Sequence, residues 1–211
     1  MSTSSTSDVI VVGISSPAGG GKTAMAKKTS ELLEDSVAIH FDDYDFDTVH
    51  PDSYRKWLER GADFNDWKTP RLRHDLSKLK AGETIVSPVD GTIIQPRKYV
   101  VFDDPLGYAH AETAGLIDFM VFIETPLDVA MARRTLRTFK LAGPDRADYA
   151  IDSVKAELTA YLEYARQAYL ELDKQVRPMC DLVLDGHLAV DELARQLVDA
   201  IMQWSVNHRP R

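Results

Sequence analysis

The apolar run Val9-Ile10-Val11-Val12 followed by Gly13-Ile14-Ser15-Ser16-Pro17-Ala18-Gly19-Gly20-Gly21-Lys22-Thr23 restricts what this chain can fold into more than any other feature. A β-branched segment of this kind reads as a buried strand, and the glycine-rich loop behind it runs into a helix-forming stretch. Residues without a Cβ let the backbone turn tightly, so that successive N–H groups point at one anion. Lys22 offers a mobile cation to β- and γ-phosphates, Thr23 offers a hydroxyl to Mg²⁺, and the helix start adds its positive end. Residues Ala18, Gly19, Gly20, Gly21, Lys22, Thr23 and Ala24 are therefore the expected nucleotide-binding set. A strict form of the pattern has glycine where this chain has Ser16, but a small residue makes the same turn wherever its φ is allowed.

With 211 residues, 44% of them hydrophobic, the chain has material for one packed α/β domain and is short for two. The net charge of −8 argues against a general nucleic-acid binder or a binder of anionic membranes, both of which need a basic face. A single cysteine, Cys180, forms neither an internal disulfide nor a cysteine-only metal site, which fits a reducing cytoplasm. The six histidines show no pair at metal-ligand spacing, so no zinc site is expected. Residues 1–7 are polar and lack the features of a signal segment; they are expected to form a disordered tail ahead of a single domain over 8–211.

Helical patterning from Lys22 to about Asp35, with Ala24, Met25, Leu32 and Leu33 as candidate buried positions, precedes a short strand at Val37–Phe41. A β-α-β unit of this kind implies a parallel sheet with a right-handed crossover. Short helices are expected near Ser53–Arg60 and Leu72–Lys80, in a stretch placed over the carboxyl edge of the sheet. A small β-hairpin is expected from Ile85-Val86 and Ile93-Ile94 around Asp90-Gly91, then strands at Tyr99–Phe102, Ile117–Ile123 and Asp181–Leu184. Helices are expected at Leu127–Leu141, Tyr149–Val176 and Val190–Trp204, the first two separated by Gly143-Pro144. Strands alternating with helices give a three-layer α/β/α domain with a parallel central sheet, which binds ligands at the carboxyl ends of its strands.

Three acidic groups fall at such ends. Asp42 and Asp43 follow the second strand, where a carboxylate either takes a proton from an attacking hydroxyl or holds Mg²⁺ through water. Adjacent side chains there diverge, and Asp42 is the one expected to face the phosphates. Asp103 closes an apolar strand and is the expected metal-organising acid beside Thr23, with Asp104 as the alternative. Arg133, Arg134 and Arg137 follow one another on a helix beside a Gly-Pro break and could close over a triphosphate. Asp43, Tyr44, Asp90 and Arg97 are the candidates for contact with an acceptor substrate, joined by Asp63 and Asp66.

These pieces resemble the uridine kinase and nicotinamide riboside kinase group of P-loop kinases, related more distantly to phosphoribulokinase and bacterial pantothenate kinase. The likeness covers nearly the whole chain and rests on Gly13-Ile14-Ser15, on His40-Phe41-Asp42-Asp43-Tyr44, on Asp128 with Arg133-Arg134 and Arg137, and on Cys180-Asp181-Leu182-Val183-Leu184-Asp185-Gly186. The resemblance implies a P-loop NTPase fold with a helical lid at about 133–150 and transfer of the γ-phosphoryl group of ATP to a hydroxyl of a small metabolite. It also implies that Asp42 is the general base, that Lys22 and Thr23 hold ATP and Mg²⁺, that the arginines contact phosphate from the lid, and that the hairpin forms a substrate wall. Two departures stand out. Asp103-Asp104-Pro105 replaces the Glu-Gly that usually follows the third strand of the group, and the hairpin keeps only Pro88-Val89-Asp90 of the usual Pro-x-Tyr-Asp. Because the hairpin lacks the stacking aromatic of a nucleoside site, other small alcohols such as a sugar or pantothenate remain alternatives to a nucleoside, as do nucleotide- or shikimate-type acceptors; a non-catalytic nucleotide-dependent switch is disfavoured because the sequence has no guanine-reading Asn-Lys-x-Asp element. A small hydroxyl compound is the expected partner, with room for a homodimer.

Overall fold

The computed structural model describes residues 9–208, so the expected tail at 1–7 lies outside the described residues. The chain alternates strands and helices: β1 (Ile10–Ser15), α1 (Lys22–Leu32), β2 (Ser36–His40), α2 (Tyr54–Glu59), α3 (Pro70–Lys80), β3 (Ile85–Val86), β4 (Ile93–Ile94) and β5 (Tyr99–Asp103). It continues with α4 (Ala111–Ala114), β6 (Phe119–Glu124), α5 (Leu127–Ala142), α6 (Ala147–Ala160), α7 (Arg166–Gln175), β7 (Leu182–Asp185) and α8 (Val190–Asn207). Five strands form one parallel sheet in the order β2-β5-β1-β6-β7, and β3 pairs antiparallel with β4 in the expected hairpin.

Strand residues alternate between two cores because successive side chains point to opposite faces. Val11, Val100, Phe102, Met120 and Phe122 pack on the face covered by Leu72, Leu76 and Leu79 of α3 and Leu172 of α7. Val12, Ile14, Val101, Val121 and Ile123 pack on the face covered by Met25 and Ala26 of α1 and by Leu193, Leu197 and Ile201 of α8. The layers are therefore helix, sheet and helix, as the alternation of elements predicts.

Some expectations change. In α1 the buried face is Met25, Ala26 and Thr29, continued by Leu33, while Ala24 and Leu32 are exposed. Met25, Thr29 and Leu33 recur every four residues and so share the sheet-facing stripe that Ala24 and Leu32 miss. The stretch from Asp42 to Lys80 forms much of one helical layer, with Trp57, Phe64, Trp67 and the α3 leucines in the core, rather than only covering the sheet edge. Between α6 and α7 the helix widens into a π-turn at Tyr161–Ala165.

Candidate active site

β1 delivers the glycine-rich loop to the carboxyl edge of the sheet, and the loop passes directly into α1. Gly19 has φ +88 and Gly21 φ +109, both in the left-handed region that favours glycine. A Cβ on Gly19 would collide with the Ala130 carbonyl of α5, so the loop and α5 approach as closely as they do only because that carbon is missing. Ser16 is buried and is not among the positive-φ residues, so its turn does not require glycine. Its carbonyl accepts a 2.9 Å hydrogen bond from Lys22 Nζ. Helix α1 starts with no side-chain cap and no acid in its first turn, which leaves its first N–H groups and its positive end for an anion. Gly20 has a structural role instead: its N–H donates to the Pro17 carbonyl at 2.9 Å and its carbonyl accepts from Thr125 Oγ1 at 3.1 Å.

Register brings the acids to the loop. Asp103 ends β5 beside Ile14 of β1 and His40 of β2, and its Oδ2 accepts from Thr23 Oγ1 at 2.6 Å. Burial pushes the Asp103 pKa up, but His40, Lys22 and Thr23 outweigh it and hold the pKa below the ordinary value. His40 Nδ1 stands 3.6 Å from Asp103 Oδ2, beyond hydrogen-bond distance. Asp104 is fully buried, accepts from the Leu106 N–H at 2.9 Å, and has its pKa pushed up to about 6 by desolvation. Burial lowers the Lys22 pKa, against the pull of Asp103, Asp42 and Asp104.

These groups open into a cavity of about 510 Å³ with two ends. The charged end holds Ser16, Ala18, Gly19, Gly21, Lys22, Thr23, Ala24, Asp42 and Asp103, with Arg133, Arg134 and Arg137 reaching in from α5. The other end is lined by rings: Phe41, Tyr54, Trp57, Phe64, Trp67, Tyr161, Tyr164 and Tyr169. Tyr54 stacks on Tyr164 with centroids 5.3 Å apart and planes 6° apart, and Trp57 meets Trp67 edge-on at 4.9 Å. His110, buried behind this wall, reaches the Trp67 carbonyl with Nε2 at 3.3 Å and Thr113 Oγ1 with Nδ1 at 2.9 Å.

Of the two adjacent acids, Asp42 lines the cavity and Asp43 does not. Residues 41–47 form a 3₁₀ turn with a repeat of three, so Phe41 and Tyr44 turn inward together. Tyr44 is accordingly a core residue rather than an acceptor contact, with its hydroxyl donating to Asp75 Oδ2 at 3.2 Å. Asp90 also leaves the site: it accepts from the N–H and hydroxyl of Thr92 and closes the hairpin turn. Arg97 lies 3.5 Å from Asp35 at the amino end of β5, the end of the sheet opposite the loop. No hairpin residue lines the cavity, contrary to the expected substrate wall; α2, residues 64–67 and the π-turn line it instead. Sequence reasoning passed over Tyr54, Trp67, Glu157, Tyr161, Tyr164 and Tyr169. The available signal was the recurrence of Tyr161, Tyr164 and Tyr169 within one helical stretch.

Among the described residues no group of three or more His, Cys, Asp or Glu is arranged to hold a metal. Thr23 and Asp103, with Asp42 nearby, fit the other way of binding Mg²⁺, in which the ion keeps waters, takes phosphate oxygens and leans on one or two carboxylates.

A parallel sheet with this loop, this acid and an arginine-bearing helix over the cavity defines a P-loop kinase fold, a phosphotransferase of the small-molecule class. Over 192 residues the chain is 27% identical to the uridine kinase of Borrelia duttonii (strain Ly), spanning 85% of this chain and 88% of that one. It is 25% identical over 195 residues to the uridine kinase of Chlamydia pneumoniae, spanning 85% and 82%. Among solved structures, a possible uridine kinase from Bacillus stearothermophilus matches with a TM-score of 0.50 at 15% identity, over 84% of this chain and 89% of that one. Shikimate kinase from Acinetobacter baumannii in complex with shikimate matches at 0.52 and 15%, over 97% of both chains; at that identity the two structures show the shared fold. No protein-family model matches the chain. The chain thus has the fold of the P-loop kinases and is similar in sequence to uridine kinases over most of its length.

Proposed function

We propose that the chain is an ATP- and Mg²⁺-dependent kinase that transfers the γ-phosphoryl group to a hydroxyl of a small metabolite carrying a flat ring, a nucleoside of the uridine, cytidine or nicotinamide riboside type. The observation that carries this reading is the single cavity joining a phosphate-binding end to a ring-lined end, with Asp42 among its lining residues. The acceptor hydroxyl attacks the γ-phosphorus, its proton passes to the Asp42 carboxylate, and the bond from the γ-phosphorus to the β–γ bridging oxygen breaks to release ADP. Lys22 and the α5 arginines neutralise charge on the transferring group, and the loop amides hold the phosphates in line. Thr23 and Asp103 would hold Mg²⁺, which would supply positive charge against the transferring phosphate.

An anionic acceptor, as in nucleotide- or shikimate-type kinases, calls for cations in the acceptor end. Arg55, Arg60 and Arg71 pair instead with Glu163, Asp66 and Asp75, and neither they nor Arg73 line the cavity. Uncharged rings suit the chamber better than phosphate or carboxylate does. The test is ATP consumption across nucleosides, nucleotides, sugars and pantothenate. Turnover with a nucleoside is the expected result, and activity confined to an anionic acceptor would overturn it.

A further inference from the structure

The three α5 arginines are held differently. Arg133 Nη2 donates to the Gly186 carbonyl at 3.1 Å, and Arg137 has no bonded partner among the described residues but lies near enough to Lys22 to lower its pKa. Arg134 is held across the cavity: Nη1 donates to the Tyr169 hydroxyl at 3.1 Å, and Nε lies 3.2 Å from Glu157 Oε2. Glu157 stands on α6 one turn before Tyr161, at the boundary between the arginines and the ring-lined chamber. Its Oε2 is covered against Arg134 in a close contact that is not a directed hydrogen bond, while the side chain as a whole stays 24% exposed and lines the cavity. A carboxylate can accept from about four donors, and the one close contact with Arg134 leaves much of that capacity open to a donor in the chamber. Neither Glu157 nor the rings around it offers the chamber a charged donor.

We propose that Glu157 is a specificity-determining residue for the acceptor: its carboxylate receives hydrogen bonds from a hydroxyl or N–H donor of the substrate seated among Tyr54, Tyr161 and Tyr164. The idea rests on the kinase reading above and deepens it, because it says which chemical feature the chamber selects besides a flat ring. An acceptor that presents only acceptor atoms at this wall leaves the carboxylate unmet and is rejected.

The experiment is steady-state kinetics of the full chain with ATP and uridine or cytidine, comparing wild type with Glu157→Gln, which keeps the shape and removes the charge. The KM for the nucleoside is expected to rise about 10- to 100-fold, as for loss of a hydrogen bond to a charged group, while the KM for ATP moves less than about threefold. Glu157→Asp, a second variant that retains the charge on a shorter stem, is expected to fall between the two. With 2′-deoxyuridine and 3′-deoxyuridine, the analogue whose KM no longer separates wild type from variant identifies the donor group. An unchanged nucleoside KM overturns the proposal. So does an equal rise in both KM values, which would mean that Glu157 acts only by holding Arg134. Wild-type protein that phosphorylates no nucleoside overturns the kinase reading itself, a result distinct from either of these.

Discussion

At the residue scale, the charges around Lys22 show how one half-buried cation is kept ready. Desolvation works against its charge and the three carboxylates work for it, while its bond to the Ser16 carbonyl is of a kind that a phosphate oxygen can replace. Lys22→Met is therefore expected to lower kcat by about 10²–10³-fold, in the range seen when one preorganised charge-stabilising group is lost. The far-UV circular dichroism spectrum should be retained, and a variant with wild-type turnover would remove Lys22 from the transfer step. Arg97 carries the opposite expectation. It pairs with Asp35 at the far end of the sheet, and both side chains are about half exposed, so Arg97→Ala should change the nucleoside KM less than twofold and stability by less than about 1 kcal/mol. These two positions mark what a single sequence tells about a site. Lys22 was legible because the loop that positions it is contiguous in sequence, whereas Arg97 looked like a substrate contact only until the parallel register put it at the amino end of β5.

At the scale of elements, the loop with its flanking β1 and α1, the acid that ends β5 and the arginines on α5 are all local patterns with a fixed physical meaning, and each was readable in advance. The ring-lined chamber was not, because its residues come from α2, residues 64–67, the π-turn and α7, which meet only through tertiary packing. Tyr164 is a direct handle on it. Tyr164→Ala removes one face of the stack with Tyr54 and is expected to raise the nucleoside KM by about 2- to 10-fold, the equivalent of an aromatic pair worth roughly 0.5–1.5 kcal/mol, with ATP affinity little changed. The wall behind the chamber brings a pH dependence. Burial lowers the His110 pKa, against the Trp67 carbonyl and Glu112, which favour its charged form. A base whose folded pKa lies below its unfolded value of 6.5 stabilises the fold above pH 6.5, and that contribution is lost as pH falls through the folded pKa. Melting temperature should thus drop on acidification below pH 6.5, and His110→Asn should flatten that part of the profile. A profile identical to that of wild type would show that His110 is not the group responsible.

For the whole molecule, two cores clamp one sheet, and the site lies where the carboxyl edge of that sheet meets both helical layers. Leu197 is fully buried between α8 and the sheet, remote from the cavity. Leu197→Ala is therefore expected to cost about 2–5 kcal/mol of stability, leaving kinetic constants measured well below the melting point unchanged. The central claim is that the loop and Asp42 act on one bound triphosphate and one acceptor hydroxyl. Its most direct test is single-turnover transfer from γ-³²P-labelled ATP·Mg²⁺ to uridine, cytidine or nicotinamide riboside, by wild type and by Asp42→Asn, with ATP affinity measured alongside. The predicted result is label on the nucleoside, a transfer step slowed about 10²–10⁴-fold in the variant, and ATP affinity within about threefold of wild type. Transfer at the wild-type rate by Asp42→Asn, or tight ATP binding with no label on any of these nucleosides, would contradict it.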